Sequence, residues 1–321
     1  MSHSAGPLLG AARVRGWEWL LWAAALAAPL VLPEHALLVN EIAITALFAV
    51  SLDLILGYAG IVSLGHAAFF GFGAYAAALF AKHLHPDPLL GLAVGLLSAL
   101  LLGALLSVSV LRGSDLTRLM VTLGASLLLY EGANRLDGLT GGADGLQGVV
   151  MGPLLGTFAF DLAGRVAAWY SLIVLALLFF LARRLVHAPF GYSLMAIRDN
   201  RLRAAGLGIP VNARLAAAYT MAAAMAGAAG ALQAQTTGFA SLDVFGIDRS
   251  ADLLLMLVIG GTGWLYGGIV GAVAFKLLHA GLSSLSPQYW TFWIGLFLVV
   301  LALVGRERLF KPWTWWARVH R

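Results

Sequence analysis

Residues 57–75 read GYAGIVSLGHAAFFGFGAY and place five glycines, together with Ser63 and His66, between two apolar runs. Such a break cannot face lipid as an open helix, because every backbone polar group in hydrocarbon must be paired. The segment is therefore expected to face the interior of a helical bundle, where Ser63 and His66 can hydrogen-bond and Gly71 and Gly73 allow close helix packing. From the residues alone, a tight cytoplasmic hairpin is an equally good interpretation.

The overall composition indicates a membrane protein. Hydrophobic residues make up 61% of the 321 residues, charged residues only 11%, and the mean hydropathy is +0.89. A soluble domain has about 25% charged residues. Apolar stretches of about 20 residues, the length that a helix needs to cross a bilayer, recur from Trp17 to Val304. The chain is therefore predicted to be an all-α integral membrane protein, a polytopic helical bundle that forms one domain over 1–321.

Ten segments are predicted to span the membrane. They lie near 17–33, 38–57, 66–82, 89–111, 118–133, 166–182, 214–235, 251–263, 267–281 and 290–305. The short eighth and ninth segments are either two spans or two arms of one helix broken at Gly260-Gly261-Thr262-Gly263. The first run follows Arg13 and Arg15 and resembles a secretory signal, but its length favours an uncleaved first helix.

Lysine and arginine are distributed unevenly between the two sides of the predicted bundle. With a cytoplasmic N-terminus, fifteen of the 20 fall in inside segments, whereas only Lys82, Arg135, Arg165 and Arg249 lie outside and Lys276 lies within a span. Positive residues accumulate on the cytoplasmic side, so both termini are predicted to be cytoplasmic. The formal net charge of +5 therefore reports orientation, and no nucleic-acid partner is expected.

The sequence lacks the motifs of several catalytic classes. It has no cysteine, and none of its lysines, Lys82, Lys276 and Lys311, follows a glycine as a phosphate-binding loop requires. It also has no H-E-x-x-H zinc motif and no G-x-S-x-G nucleophile turn. No catalytic residue, metal site or cofactor is therefore expected on this chain. If transport is driven, the energy comes from an ion gradient or from another polypeptide.

Five charged residues fall inside or at the ends of predicted spans: Glu41, Asp53, Glu131, Asp252 and Lys276. A charge at a helix centre costs about 2.5–3.5 kcal/mol on insertion scales, which makes such residues functional candidates. All except Lys276 lie near a predicted span end, where snorkelling relieves the cost and an ordinary structural role is favoured. Glu131, which is followed by Asn134 and Arg135, is the best candidate for a polar gate on the extracellular side.

Two loops are longer than plain connectors require. The outer loop, about 134–165, contains Thr140-Gly141-Gly142-Ala143-Asp144-Gly145, which needs permissive backbone angles. The cytoplasmic loop, about 186–213, has apolar residues at helical spacing before the stop signals Gly206, Gly208 and Pro210. A short helix of about three turns is predicted there. Contact with anionic headgroups is favoured by the residues alone, and docking into a groove of a cytosolic partner is the alternative.

Five separated segments resemble one family, the branched-chain amino acid permeases of the LivM type in ABC importers. They are Gly57-Tyr58-Ala59-Gly60 with Ser63, Gly65-His66 and Gly71-Phe72-Gly73-Ala74-Tyr75; Val121-Thr122-Leu123; 140–146; Gly191-Tyr192 with 196–200 and Ala204-Ala205; and 259–263 with Gly267-Gly268 and Gly271-Ala272. The segments occur in the family's order and extend over most of the chain.

The resemblance implies a heteromer in the bacterial inner membrane. Its other members are a second homologous permease, two cytosolic ATPases that bind the ATP, and a periplasmic substrate-binding protein. The central cytoplasmic loop then becomes the coupling helix that sits on an ATPase, in place of the headgroup contact. The residues assigned to it are Gly191, Ala196, Ile197, Arg198, Asp199, Asn200, Ala204, Ala205 and Gly206. The candidates for the translocation path are Tyr58, Ser63, His66, Glu131 and Thr140.

The chain departs from the family pattern at three places: Asp53 stands where an amide is common, Ile61 where a glutamine is common, and a second acid near Arg201 is missing. Branched-chain or other neutral amino acids are the expected substrates, while related permeases carry urea, short amides or aromatic acids. The alternative from another class is an ion-coupled secondary carrier or channel that uses Asp53 or Glu131 as its ion site. A membrane enzyme would need a nucleophile, base and metal set that the sequence lacks.

Overall fold

The computed structural model describes residues 16–113, 115–161 and 163–285, together with 288–289, 292–296 and 299. Within these ranges the protein is helical, and its β-structure is limited to isolated bridges such as Leu146–Ala240. The helices are α1 (Gly16–Val31), α2 (Ala36–Asp53), α3 (Ala67–His83), α4 (Pro88–Val110), α5 (Asp115–Arg135), α6 (Asp137–Thr140), α7 (Arg165–Val186), α8 (Pro189–Asp199), α9 (Arg201–Gly206), α10 (Val211–Thr237), α11 (Ile247–Gly260) and α12 (Leu265–Leu285).

Five helical segments are long and apolar enough to cross a bilayer, which agrees with the predicted class of helical membrane protein. They are Pro33–Tyr58, Pro88–Val110, Arg165–Val186, Val211–Thr237 and Leu265–Ser284. Helix α3 has 17 residues and α11 has 14, less than the roughly 20 that a straight span needs. Most of the predicted tenth span, 290–305, lies outside the described residues. The count of ten spans therefore stays a prediction.

Helix α10 forms the centre of the bundle, where its small residues let the backbones of α3 and α4 approach closely. A Cβ on Gly73 would overlap the backbone of Gly227, and one on Gly95 would lie 2.7 Å from the Cβ of Ala231. Helix association in lipid depends on such close contact, because the lipid tails are as apolar as the side chains. The alanines and glycines of α10 therefore specify this three-helix core.

Helix α1 is joined to the bundle by a buried ion pair. Glu18 of α1 pairs with Arg183 of α7 and also accepts a hydrogen bond from the Tyr266 hydroxyl of α12 at 2.8 Å. The Glu18 and Arg183 side chains are only 6% and 10% exposed. Helix α1 is thus packed against the bundle through its contacts with α7 and α12, and its retention as an uncleaved first helix stays a prediction.

Helices α11 and α12 form an antiparallel hairpin. Met256 contacts Gly271 and Gly260 contacts Gly267, so the two helices run in opposite directions. The turn between them contains Gly261 at φ 97° and Gly263 at φ 76°, angles that side-chain-bearing residues rarely adopt. The segment left open by the sequence is therefore two packed helices, and not two arms of one broken helix.

The hairpin provides a direct test of close packing. We expect Gly271→Ala to destabilise the protein by about 1–3 kcal/mol, because the added methyl meets the Met256 carbonyl. Gly281→Ala on the same helix is the control: its Cβ enters open space, and alanine favours a helix by roughly 0.5–1 kcal/mol over glycine. Thermal unfolding of the detergent-solubilised chain measures both. Equal effects of the two substitutions would contradict the packing.

Candidate functional site

The glycine-rich break begins where α2 ends. Asp53 is followed by one turn of π-helix, Leu54–Tyr58, and then by an irregular loop that leads into α3. Gly60 adopts φ 70° in this loop, and Gly65 packs against the carbonyl of Thr122 on α5 so closely that a Cβ would not fit. Most of the break is buried in the bundle, where protein atoms cover the backbone that the helix no longer pairs, while Gly60 and Val62 are exposed.

Asp53 connects this break to the tip of the α11–α12 hairpin. Its side chain is fully buried, and Oδ1 accepts a hydrogen bond from the Gly263 amide at 2.7 Å. Gly57 lies against both groups, since a Cβ there would overlap Asp53 Oδ1 and the Gly263 nitrogen. A buried amide without a partner costs about 1–3 kcal/mol. The Asp53 carboxylate therefore stabilises the turn of the hairpin by pairing its free N–H group.

Arg198 brings helix α8 to the same place. Its Nη1 donates a hydrogen bond to the Gly57 carbonyl, and its Cγ occupies the space where a Cβ on Gly60 would lie, at 2.7 Å. The guanidinium also lies beside Gly263, 3.5 Å from a Cβ built on that residue. We call Asp53, Gly57, Arg198 and Gly263 the junction. Three separate elements, the π-turn, the hairpin tip and α8, therefore meet through one arginine and one carboxylate.

The segment predicted as one short helix consists of two helices. Helix α8 has the predicted three turns, but the chain bends at Asn200, whose φ of −160° and ψ of 105° are extended. The Asn200 side chain then accepts a hydrogen bond from the Arg203 amide at 2.9 Å and caps α9. Asparagine favours this position because its short side chain reaches the free amides of the next helix.

Both short helices have one buried and one exposed face. Gly191, Leu194, Ile197 and Ala204 are buried against the bundle, and Gly191 packs on the Val186 carbonyl. Ala196 is half-buried, while Asp199, Ala205 and Gly206 are exposed. Leu202 on α9 and Leu207 directly after it are 87% and 74% exposed. Leu202 and Leu207 thus form exposed apolar surface, which is typical of a contact site for a partner.

The chain matches one protein family over most of its length. The model described as "Branched-chain amino acid transport system / permease component" matches residues 36–303. The chain belongs to this permease family. The permease is accordingly a component of a transport system and not an enzyme.

Curated relatives share most of the chain. The high-affinity branched-chain amino acid transport system permease proteins LivM of Escherichia coli K12 and Salmonella typhimurium LT2 are 27% and 28% identical to it, over 84% of this chain and 68% of each relative. The autoinducer 2 import system permease protein LsrC of Yersinia pseudotuberculosis is 29% identical over 77% of this chain and 66% of that protein. No solved structure matches the permease.

Three of the predicted path residues, Tyr58, Ser63 and His66, lie at the break and are buried. His66 Nε2 is 2.8 Å from the Ser51 hydroxyl, which itself donates to the Phe48 carbonyl at 2.6 Å. The imidazole therefore donates through Nε2, and its buried Nδ1 has no hydrogen-bond partner in the described part of the chain. The Ser63 hydroxyl lies beside the phenol of Tyr219 on α10.

The other two path residues, Glu131 and Thr140, are further along the bundle. Glu131 is exposed on α5 and pairs with Arg135 at 2.5 Å. Thr140 is buried at the end of α6, where its hydroxyl donates to the Ala133 carbonyl at 2.5 Å. Because Thr122 touches the break and Glu131 is nine residues later, about 13 Å separate them along the helix. The five residues therefore do not form one cluster, and their contact with substrate stays a prediction.

Several residues of the junction stood out in the sequence, but the sequence did not predict that they contact one another. Asp53, Arg198 and the glycine run 260–263 each stand out, as a charge in a span, a basic loop residue and a turn, yet they are separated by up to 210 positions. The glycines in 57–75 and in 260–263 were the sequence feature that indicated a close approach of two backbones. Within the residues that the structure describes, no group of three or more His, Asp or Glu side chains is placed to hold a metal ion.

The Asp53 hydrogen bond predicts a difference between two substitutions. Asp53→Asn keeps an oxygen that accepts from the Gly263 amide and should unfold close to the unmodified permease. Asp53→Ala leaves that partly buried amide without its partner and should lower the free energy of unfolding by about 1–3 kcal/mol. Thermal unfolding in detergent measures the order. Equal stability of the two variants would show that the Gly263 bond contributes nothing.

Proposed function

We propose that this permease is a membrane-spanning subunit of a bacterial ATP-driven importer for branched-chain or related neutral amino acids. Its partners are a second homologous permease, two cytosolic ATPase subunits and a periplasmic binding protein that delivers the substrate. The names of the LivM relatives support the cargo class. The absence of a phosphate-binding motif from the sequence supports the assignment of ATP to partner subunits.

We further propose ten spans in one domain, 1–321, with both termini in the cytoplasm. The distribution of lysine and arginine supports this orientation. It puts α8, α9 and the junction on the cytoplasmic side, and Glu131 and Thr140 toward the opposite side. In this arrangement Glu131 acts as the outer polar gate, and Tyr58, Ser63 and His66 lie along the inner part of the path.

The observation that carries the proposal is the contact of Arg198 with the Gly57 carbonyl. Helix α8 lies at one end of the bundle, and the Arg198 side chain contacts both the π-turn and the hairpin tip. The exposed face of α9, with Leu202 and Leu207, presents apolar surface to an ATPase groove. When ATP binding displaces that groove, α8 and α9 move with it, and Arg198 transmits the displacement to two helices that are already interrupted.

The transmitted motion can select between two states only if contacts differ between them. The junction fits this requirement, because the Gly57 carbonyl is no longer needed by a regular helix and Gly263 turns without a side chain. A regular α-helix resists such displacement, because the amide of each residue donates a hydrogen bond to the carbonyl four residues earlier. Interrupted helices at the junction therefore make the bundle deformable where the partner acts.

Transport assays with and without the partner subunits test the energy source. We expect the permease reconstituted alone to show no uphill uptake of L-leucine, because its sequence has no phosphate-binding motif and the proposal assigns ATP to partner subunits. Proteoliposomes that contain the second permease, both ATPases and the binding protein should accumulate L-leucine only with ATP. Accumulation by the solitary permease that collapses with the ion gradient would overturn the importer proposal in favour of a secondary carrier.

Replacement of Arg198 tests transmission in the same complex. Arg198→Ala should leave the ATPases bound while uptake per ATP hydrolysed falls, because α8 loses its contact with the π-turn. Leu202→Ser with Leu207→Ser should instead weaken co-purification of the ATPases. Arg184→Ala is the matched control, an exposed arginine at the same end of the bundle, and should change neither. Full coupling in Arg198→Ala would contradict the role given to the junction.

A further inference from the structure

A second polar region lies at the opposite end of the bundle from the junction. A cavity of about 570 Å³ is lined by residues of α2, α3, α10, α11, α12 and the 3-10 turn Leu242–Phe245. Its α2 lining begins at Glu41, twelve residues before Asp53 and therefore about 18 Å away along the helix axis. Small-molecule sites typically have volumes of about 300–1,000 Å³. The cavity is thus large enough for a small ligand.

Helical periodicity explains how the cavity acquires its lining. On α2 the lining residues are Glu41, Ile44, Thr45 and Phe48, and on α11 the set Arg249, Asp252, Leu253 and Met256 follows Asp248 at the rim. Both sets have the spacing i, i+3, i+4, i+7, which places their members on one face of a helix. Each helix therefore presents one face that is charged at its start and apolar further along. The two charged portions lie at the same end of the cavity.

The wall beyond the charged portion is apolar. It consists of Ile44, Phe48, Phe70, Leu253, Met256 and Phe275. Aliphatic and aromatic groups of this kind bind an apolar side chain by removing it from water, at about 25 cal/mol per Å² of buried surface. They provide no donors or acceptors for the hydroxyls of a sugar. The wall therefore favours a ligand with one hydrocarbon end.

Arg249 is the cation best placed to bind an anionic group in the cavity. Its guanidinium lies over the ring of Phe70, with Cζ 5.7 Å from the centroid. No carboxylate among the described residues is within 4.0 Å of it, whereas Lys276 is paired with Glu41 at 3.1 Å. A guanidinium stacked on a ring keeps its planar N–H groups available, and these match a carboxylate in a bidentate way.

Negative charge exceeds positive charge around the same space. The lining includes four carboxylates, Glu41, Asp243, Asp248 and Asp252, against the two fixed cations Arg249 and Lys276, with His279 beside them. Asp243 and Asp248 are exposed at the rim, and Asp252 is half-buried one turn from Arg249. An excess of carboxylates attracts a cationic group and repels a ligand with a second acid. The charges therefore suit a ligand that carries one ammonium and one carboxylate.

We infer that this cavity is a binding site for a free α-amino acid with an apolar side chain. Arg249 binds the carboxylate, Asp252 accepts hydrogen bonds from the ammonium group, and the side chain lies against Phe48 and Met256. The inference rests on the proposed function for its cargo class and adds a site within the permease itself. A substrate released to this side of the bundle would thus be selected a second time, by both of its charges and by its hydrocarbon end.

Binding of radiolabelled L-leucine to the full chain in nanodiscs, without ATP or partners, tests the site. We expect saturable binding, with competition by L-isoleucine and L-valine. Two fragments of leucine test the charge contacts without any mutation: 4-methylpentanoate lacks the ammonium group and 3-methylbutylamine lacks the carboxylate. Each should compete about 10- to 100-fold more weakly than leucine, the loss expected for one charge-assisted contact. L-Glutamate should not compete.

Variants locate the binding in the cavity. Arg249→Gln and Asp252→Asn should each weaken L-leucine binding by about 10- to 100-fold, with unchanged elution in size-exclusion chromatography. Arg165→Gln, an exposed arginine outside the cavity, should bind normally. Absence of saturable binding, equal competition by the two fragments, or normal binding by both cavity variants would overturn the inference. ATP-dependent uptake by the complete complex would still stand in that case, whereas uptake that does not depend on ATP would overturn only the importer proposal.

Discussion

The hydrogen bond from the Gly263 amide to the buried Asp53 carboxylate is the contact on which the organisation of this permease depends. A membrane protein can interrupt a helix only where another group pairs the backbone that the interruption exposes. Asp53 does this for the turn of the α11–α12 hairpin at 2.7 Å. The Arg198 guanidinium does the same for the Gly57 carbonyl of the π-turn. Two interruptions therefore stabilise each other, and each would be costly alone.

This arrangement explains why charged residues occur at a depth where they are expensive. An isolated carboxylate in hydrocarbon costs several kcal/mol, yet Asp53 is fully buried. The nearby arginine and the Gly263 amide, which donates to Oδ1, offset part of that cost, while Oδ2 has no hydrogen-bond partner among the described residues. Because Arg198 belongs to α8, the compensation depends on where α8 sits. A partner that moves α8 changes the stability of the break itself, which links the proposed docking surface to the proposed path.

Glycines allow the close packing of the helices around these interruptions. Gly57, Gly65, Gly260 and Gly271 each lie where a Cβ would overlap backbone atoms of another segment. Such contacts bring backbones together closely enough for dispersion to hold helices in lipid. The permease thus combines a tightly packed centre around α10 with an irregular junction at one end and a charged cavity at the other. In the proposed importer these would be the rigid frame, the point of transmission and the place where substrate rests.

The sequence alone determined the class of protein and most helix positions, because hydrophobic length and glycine punctuation are local properties of the chain. The segments predicted at 38–57, 89–111 and 214–235 lie within one to three residues of Ala36–Tyr58, Pro88–Val110 and Val211–Thr237. The family resemblance was predicted from local motifs, and the family model that matches 36–303 confirms it. The bend at Asn200 was missed because helical spacing continues across it.

Only the tertiary structure decided which distant residues meet. Asp53 and Gly263 are 210 positions apart, and no periodicity connects a charge in one helix to a turn in another. The hairpin of α11 and α12, and the cavity lined by one face each of α2 and α11 together with neighbouring helices, likewise required the packing of whole helices. Sequence patterns specify the face that a helix presents, whereas its partner is chosen by shape and by the pairing of buried polar groups across the complete bundle.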